Sequence, residues 1–306
     1  RGIQLTPICT AKALCEEIRL KTNTSRSKQA GKRLLQAGRL AFHAARDARR
    51  FWKYSALSVY DMRYEQVNAR IMYSVHALEK GLAQVDAWTP GRGRDALKNL
   101  NDALVVYISN GYDQSAFSFV EGVSIIQRYL ERHAQHPSSI EFLHEIIDPC
   151  LLRPSRPEAF DSAGVKTVYR DDKAGNSKKG FYELAQGRSS VRAFSGEAID
   201  TEGVMRALRN AQKTPSVCNR QGWHVYWTED PSLARSVLAH QRGFAYSQMP
   251  EVLLAVTVTQ SAFISPVERN QAFIDGGLFS MSVLYGLEAE GLAAVPLNAC
   301  MYARDR

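Results

Sequence analysis

Apolar side chains recur three and four positions apart through residues 29 to 148, the spacing of one helix face after another. Leu34, Leu35, Ala41, Phe42 and Ala45, with Gly38 on the same face, form the first stripe, and Phe51, Trp52, Tyr54 and Leu57 continue it. A second helix is predicted over about residues 58–82 from Tyr60, Tyr64, Val67, Ile71, Val75 and Leu78, with Gly81 as its stop. Thr89-Pro90-Gly91-Arg92-Gly93-Arg94 reads as a turn opening a third, through Leu97, Leu100, Leu104 and Tyr107. Asn110-Gly111 breaks that helix and a fourth spans Asp113 to His133. Pro137-Ser138-Ser139 then caps a short helix ending near Ile147.

The pattern lapses between Pro149 and Gly180, where Pro154, Pro157, Gly164 and Gly175 stand among charges and Val165 to Tyr169 is a short strand candidate. Helix and strand signals then alternate. Phe181 to Gln186 and Thr201 to Gln212 read as helices, and Trp223 to Thr228 as a strand. Val252 to Thr259 is a continuous run rich in Val and Thr, the mark of a buried central strand. Phe273 to Glu290 is an apolar helix with Gly291 at its C-terminal cap, and Leu292 to Leu297 a further strand. The expectation is an α+β fold, a mixed sheet flanked by helices and preceded by an all-helical domain. Its segments are a basic lead-in (1–28), a helical domain (29–150), a linker (151–180) and the α+β domain (181–306).

With 306 residues, 45% hydrophobic and 23% charged, the chain is long enough for two ordinary globular domains. No uninterrupted apolar stretch reaches the roughly 18 residues of a membrane span. The first residue is Arg1 and not Met, which leaves room for a removed targeting segment. Five scattered cysteines, an odd number, fit free thiols in a reducing cytoplasm better than a disulfide framework. Charge is uneven: residues 1 to 60 hold 13 Lys and Arg against 3 Asp and Glu, while the rest of the chain is slightly acidic. That excess suits either a solvated helix face or attraction to an anionic polymer, a membrane surface or an acidic partner protein.

Several motifs are weak. His144-Glu145-Ile146-Ile147-Asp148 lacks the second histidine of a zinc-protease motif, and no Cys-x-x-Cys pair argues for zinc, so no metal site is expected. His133 and His136 read as solvated helix-end residues. Gly91-Arg92-Gly93-Arg94 before a helix reads as a plain loop or an anion site. Cys218 and Cys300 lack a resolving partner. No Gly-x-Gly-x-x-Gly occurs, so a separate Rossmann domain is not indicated.

Two polar runs are more informative. Arg188-Ser189-Ser190-Val191-Arg192 supplies two guanidinium forks and two hydroxyls over five residues, a donor set suited to phosphate and carbonyl oxygens. Pro215-Ser216-Val217-Cys218-Asn219-Arg220-Gln221 adds a fixed turn, a hydroxyl and two carboxamides, suited to the edge of a flat heterocycle.

In these runs the chain resembles the nitroreductase family of flavin mononucleotide (FMN) enzymes. Arg188, Ser190, Arg192 and Phe194 are similar to the family's Arg-Arg-Ser-x-Arg-x-Phe run, with Ser189 in place of the second Arg. Pro215, Ser216, Asn219, Gln221 and Trp223 are similar to its Pro-Ser-x-x-Asn-x-Gln-Pro-Trp run, with Gly222 in place of Pro. Gly291-Leu292-Ala293-Ala294-Val295-Pro296-Leu297-Asn298-Ala299 is similar to the stretch beside the flavin ring. The resemblance covers roughly residues 165 to 306.

It implies FMN as cofactor. Arg188, Ser189, Ser190 and Arg192 would contact its phosphate, ribityl chain and pyrimidine edge. Pro215, Ser216, Asn219 and Gln221 would reach the flavin held mainly by a partner subunit, in a homodimer with the site at its interface. Pro296, Leu297, Asn298 and Ala299 would pass beside the ring, with a backbone N–H toward N5. Implied too is a ping-pong oxidoreductase without a catalytic side chain. In it NADH or NADPH reduces the flavin, and a small nitro, quinone or enone acceptor reoxidises it. The family's further helix and strand, with phosphate-holding basic residues, would follow residue 306. The two-part layout, with Glu268-Arg269-Asn270-Gln271 and Asp275-Gly276-Gly277, looks like nitroreductase-like proteins of bacterial surface-polysaccharide synthesis, which would make the acceptor a specialised metabolite. The competing expectation is a non-catalytic module, with or without flavin, whose basic helical domain binds an anionic polymer or a partner enzyme.

Overall fold

The computed structural model describes residues 11–57, 63–84, 88–136, 141–152, 163–241, 243–244 and 248–299, with side chains in the first helix from residue 29 onward. That helix, α1 (Ala11–Tyr54), is 44 residues long, about 66 Å at the ordinary rise, and passes without a break through the position expected to end the basic lead-in. The stripe read from the sequence is helical but not buried. Leu34, Phe42 and Trp52 are 78%, 65% and 78% exposed. A short apolar patch in the sequence of the lead-in, near Ile8 to Leu20, lies outside the residues whose side chains are described.

Four helices form the helical unit: α2 (Tyr64–Leu82), α3 (Arg94–Ser109), α4 (Phe117–Ala134) and the short α5 (Glu141–Ile146). Their apolar stripes converge on one core, in which Ile71, Leu78, Leu97, Leu100, Leu104, Tyr107, Ile125 and Tyr129 are fully enclosed. Gly122 sits where a Cβ would come within 3.0 Å of Leu104 and 3.1 Å of Ile71, so its missing side chain lets α4 close onto α2 and α3. The second helix starts at Tyr64; Ser58 to Tyr60 lie outside the described residues, as does the Pro137–Ser139 cap. The fourth starts at Phe117 and not Asp113, because Asp113 spends its carboxylate on a turn, accepting from the Ser115 N–H at 2.8 Å.

His133 corrects an expectation. It is fully buried, with the Gly91 N–H donating to Nε2 at 3.0 Å and Nδ1 2.8 Å from the Tyr129 carbonyl. An acceptor at Nε2 requires the neutral ring with its proton on Nδ1, donating to that carbonyl. Burial, first, pulls its pKa below the usual imidazole value. The histidine thus pins the Gly91–Arg94 turn, whose Gly91 and Gly93 take φ of +81° and +85°.

The second unit is built on α9 (Gln271–Ala289), with α7 (Thr201–Ala211) along one flank. Val204, Ala207 and Ala211 meet Phe279, Val283 and Leu287 there. A Cβ on Gly286 would come within 2.9 Å of the Ala207 Cα, so the two helices approach backbone to backbone. The strands β1 (Trp223–Thr228) and β2 (Leu253–Val258) pair antiparallel, Trp223 opposite Val258 and Thr228 opposite Leu253, and lay Trp223, Val225, Leu254 and Val256 against this core. Trp223 stacks on Phe279 at 4.8 Å between ring centroids. Two short helices, α6 (Phe181–Gly187) and α8 (Pro231–Ala239), complete the regular elements. The α8 helix, absent from the sequence reading, starts on Asp230, which accepts from the Ser232 N–H at 2.8 Å, with Pro231 in the first turn.

Helices thus cover one face of a small two-stranded sheet, an α+β arrangement, but three strand expectations need correction. Val252–Thr259 is not a buried central strand: among the described residues β2 pairs with β1 alone, and the face carrying Ala255 and Thr257 is open. Alternation, not a continuous run, is what such a half-covered pair requires. Leu292–Leu297 contributes one isolated parallel bridge, Ala294 to Ser190. Val165–Tyr169 is irregular and exposed, leading into a 3-10 turn at Arg170–Lys173. That connection is fixed by a buried ion pair. Lys173 Nζ donates to both Glu288 carboxylate oxygens at 2.6 and 2.7 Å, and Asn176 Nδ2 donates to the Glu288 carbonyl at 2.8 Å.

Candidate functional site

The first polar run leaves α6 in extended form. The Val191 N–H donates to the Ala294 carbonyl at 3.1 Å, and Ser190 bridges Ala294. This joins the run of Arg188, Ser189, Ser190 and Arg192 to the third run at Ala294, two residues before Pro296, Leu297, Asn298 and Ala299. The donors of the run are almost unspent. Arg192 makes one long hydrogen bond, Nη1 to the Ser190 carbonyl at 3.4 Å. Among the described residues, the side chains of Arg188, Ser189 and Ser190 have no hydrogen-bonding partner, though all are half-buried. Half-buried cations and hydroxyls without partners are costly unless water or a ligand completes them.

The second run follows α7. Thr214, just before it, is buried and donates from Oγ1 to the Ala211 carbonyl, with Ser282 Oγ on α9 also 2.6 Å away. Beyond Pro215 the backbone twists: Cys218, Asn219 and Gln221 take φ of +49°, +54° and +49°. Positive φ at three non-glycine residues in four positions is strain held by surrounding structure. Three contacts hold it. The Gln221 N–H donates to Ser216 Oγ at 2.9 Å. The Val217 N–H donates to the Asp275 carboxylate at 3.3 Å. Arg220 pairs with Glu268, donates to the Ala262 carbonyl at 2.8 Å and lies over the Phe263 ring. Gly222 is required by proximity, since a Cβ there would come within 2.9 Å of the Ala262 Cβ. The result is an exposed edge carrying the Asn219 and Gln221 carboxamides, which bond to each other at 3.1 Å.

The structure brings the first and third runs together. Among the described residues, no hydrogen bond or ion pair joins Pro215, Ser216, Asn219 or Gln221 to either of the others. Sequence reasoning assigned no role to Asp275, yet it is 1% exposed and accepts from Gln271 Nε2 at 2.9 Å as well as from Val217. Arg220 and Gln241 were missed outright. Gln241 Nε2 donates to the Asn298 carbonyl at 2.9 Å, while its Oε1 is buried without a partner. A sequence signal existed only for Arg220, as the guanidinium inside the second run. Asp148 of the near-miss zinc motif instead caps the next turn, accepting from the Cys150 N–H at 2.9 Å. Cys218 is exposed, and Cys300 lies outside the described residues.

Residues 185–248 match the model of the nitroreductase family. The matched stretch runs from the last turn of α6 through both polar runs, α7, β1 and α8, while the Gly291–Ala299 segment lies beyond it. No curated protein and no solved structure is significantly similar to the chain. Among the described residues, no helix is long and apolar enough to cross a membrane.

The donor set fits a flavin. Cationic forks and hydroxyls left unpaired in Arg188–Arg192 suit a phosphate and a carbonyl-bearing ring edge, and the nearby Pro296–Ala299 segment offers backbone groups.

Proposed function

We propose that the chain is an FMN-dependent oxidoreductase that passes hydride from NADH or NADPH to an electron-poor small molecule of nitro, quinone or enone type. The observation that carries this reading is the unspent donor set of Arg188, Ser189, Ser190 and Arg192, tied to Ala294, inside a stretch matching the nitroreductase family. FMN, when bound, supplies the hydride chemistry. The side chains bind and orient. Arg188, Ser189 and Ser190 would hold the phosphate and ribityl oxygens. Arg192 would donate to the pyrimidine edge, stabilising the negative charge that reduction develops there, as an oxyanion hole does. Pro296, Leu297, Asn298 and Ala299 would form the wall beside the ring.

The site is completed by a second copy of the chain. α9 carries apolar residues around most of its circumference, the pattern of a helix covered by more than one neighbour. Its first turns are partly uncovered: Phe279 and Val283 are buried, while Phe273, Ile274 and Leu278 are 76%, 53% and 47% exposed. A partner's α9 would cover that face, and the partner's Pro215, Ser216, Asn219 and Gln221 would reach this chain's flavin. Exposed free thiols at Cys150 and Cys218 suit a reducing, cytoplasmic setting. The Glu268–Gln271 and Asp275–Gly277 segments support an acceptor drawn from surface-polysaccharide metabolism.

The test is flavin titration of purified protein followed by anaerobic NADH and NADPH. A yellow complex bleached by either donor and recoloured by a nitro compound or quinone supports the reading; protein that binds no flavin defeats it. One observation favours a second reading, a non-catalytic module: α1 displays Leu34, Leu35, Phe42 and Trp52 among many arginines and lysines. Salt-sensitive retention on a polyanion by flavin-free protein would favour it.

A further inference from the structure

Of the α1 side chains between residues 29 and 54, only those of His43 and Asp47 are partly covered, and they stand one turn apart. That side is moored to the second unit. Arg269 donates from Nε and Nη2 to one Asp47 carboxylate oxygen at 2.8 and 2.5 Å, beside the Pro266–Glu268 turn. At about 100° per residue, the opposite side of the helix carries Leu34, Gly38, Ala41, Ala45 and Trp52. Gly31, Leu34, Leu35, Gly38, Arg39 and Phe42 line a shallow, apolar notch on it. The fold thus holds α1 by its back and turns an apolar stripe outward over about 39 Å.

The charges of this stretch are nearly all of one sign. Lys32, Arg39, Arg46 and Lys53 recur every seven residues and form a row along one flank of the stripe. Asp47 is the sole acid between residues 29 and 54, against seven Lys and Arg, and Arg269 neutralises it. Arg49 falls within the stripe, where its long stem lets the guanidinium reach the polar edge of an apolar surface. A basic flank beside exposed Leu, Phe and Trp is the composition of helices that lie in the plane of a lipid surface. A second α1 laid on this face would set basic row near basic row, which costs free energy. A nucleic acid would use the cations and leave the stripe in water. An anionic bilayer satisfies both features at once: its headgroups meet the cations, and the stripe enters the acyl boundary.

We propose that α1 docks the chain on a membrane surface rich in anionic phospholipid, lying flat with Leu34, Phe42 and Trp52 inserted. Among the described residues no helix is long and apolar enough to cross the bilayer, and surface docking requires none. This docking depends on α1 alone and not on the flavin reading.

The test is flotation of the whole chain with vesicles of phosphatidylcholine alone or mixed equally with phosphatidylglycerol. Wild type is compared with the double variants Phe42→Ser, Trp52→Ser and Arg39→Gln, Arg46→Gln, and with Trp52→Phe, all checked for folding by circular dichroism. Mixed vesicles should bind wild type at least about tenfold more tightly than neutral ones. Removing the two arginines should weaken that binding about tenfold or more, and so should removing the two aromatic side chains. Trp52 emission should shift to the blue on mixed vesicles, a shift lost in Trp52→Phe, which still floats. No binding to either vesicle, equal binding to neutral ones, or binding untouched by Phe42→Ser, Trp52→Ser overturns the proposal. A lipid-free dimer that this variant turns into monomer gives the face to a second copy and overturns it as well. So does retention on a polyanion by protein that ignores vesicles. Lipid binding is read without flavin, so its failure and that of the flavin reading are separate results.

Discussion

Replacing Gly286 by alanine puts a methyl group where α7 and α9 already touch. The added Cβ would lie 2.9 Å from both the Cα and the Cβ of Ala207 and 3.1 Å from its carbonyl oxygen. Two of those three atoms are backbone, so no rotamer change relieves the clash, and the helices must separate by about 1 Å to regain ordinary contact. Against this, alanine in a helix interior gains roughly 1 kcal/mol over glycine. Overpacking of a close contact costs about 1–3 kcal/mol. The overpacking term wins, and Gly286→Ala should be net destabilising by about 1–2 kcal/mol. Gly286→Val, bulkier and without alanine's helical gain, should cost about 3 kcal/mol or more. Separation of α7 from α9 also pulls on the Thr214–Ser282 and Val217–Asp275 contacts, so flavin affinity should fall with stability. The assay is urea unfolding, read as the midpoint at constant slope. Gly81→Ala is the control, since its added Cβ meets nothing within 4 Å. Should Gly286→Ala raise the midpoint as the control does, the close helix approach is wrong.

Breaking the Lys173–Glu288 pair with Lys173→Met leaves a carboxylate only 5% exposed without its cation, and should cost about 3–5 kcal/mol in urea unfolding. Because the folded pKa of His133 lies below its ordinary 6.5, the unfolded chain binds the extra proton more readily. Its contribution to stability is therefore complete above about pH 6.5 and is lost as pH falls from there toward the folded pKa. Denaturant midpoints at pH 7.5 and 5.5 should show this loss, and His133→Leu should shrink the difference while lowering both values. Asp275→Ala removes the acceptor for the Val217 N–H and should weaken flavin binding about tenfold, near the cost of one such hydrogen bond, measured by fluorescence titration. An unchanged affinity would mean that the twisted loop from Ser216 to Gln221 takes no part in the site.

Helices whose stripes meet a core were legible because burial and period agree. Val67, Ile71, Leu97, Leu100 and Tyr107 were read as one-faced helices and are core residues. Trp223–Thr228 was read to the residue. Elsewhere local pattern and tertiary context part company. The stripe of α1 has the right period but stays exposed on a single chain, and nothing local encodes whether a partner covers it. Val252–Thr259 reads as central because Val and Thr runs occur in fully covered strands, yet α9 covers only one face of β2. His133 looks like a helix-end residue, and the return of the Gly91 turn encloses it together with the Trp88 and Phe142 rings. The α8 helix carried a usable signal, Asp230 followed by Pro231. At the site, residue types announced the polar runs, whereas Asp275 and Gln241 act through contacts 58 and 57 positions away along the chain and leave no local trace.

Sedimentation velocity followed in the visible absorption band of flavin, on protein incubated with FMN, tests most directly that two copies of the chain jointly hold the cofactor. The band should sediment with the dimer and leave it when Asn219 and Gln221 are both changed to alanine. Flavin that sediments with a monomer, or stays free of protein, contradicts it.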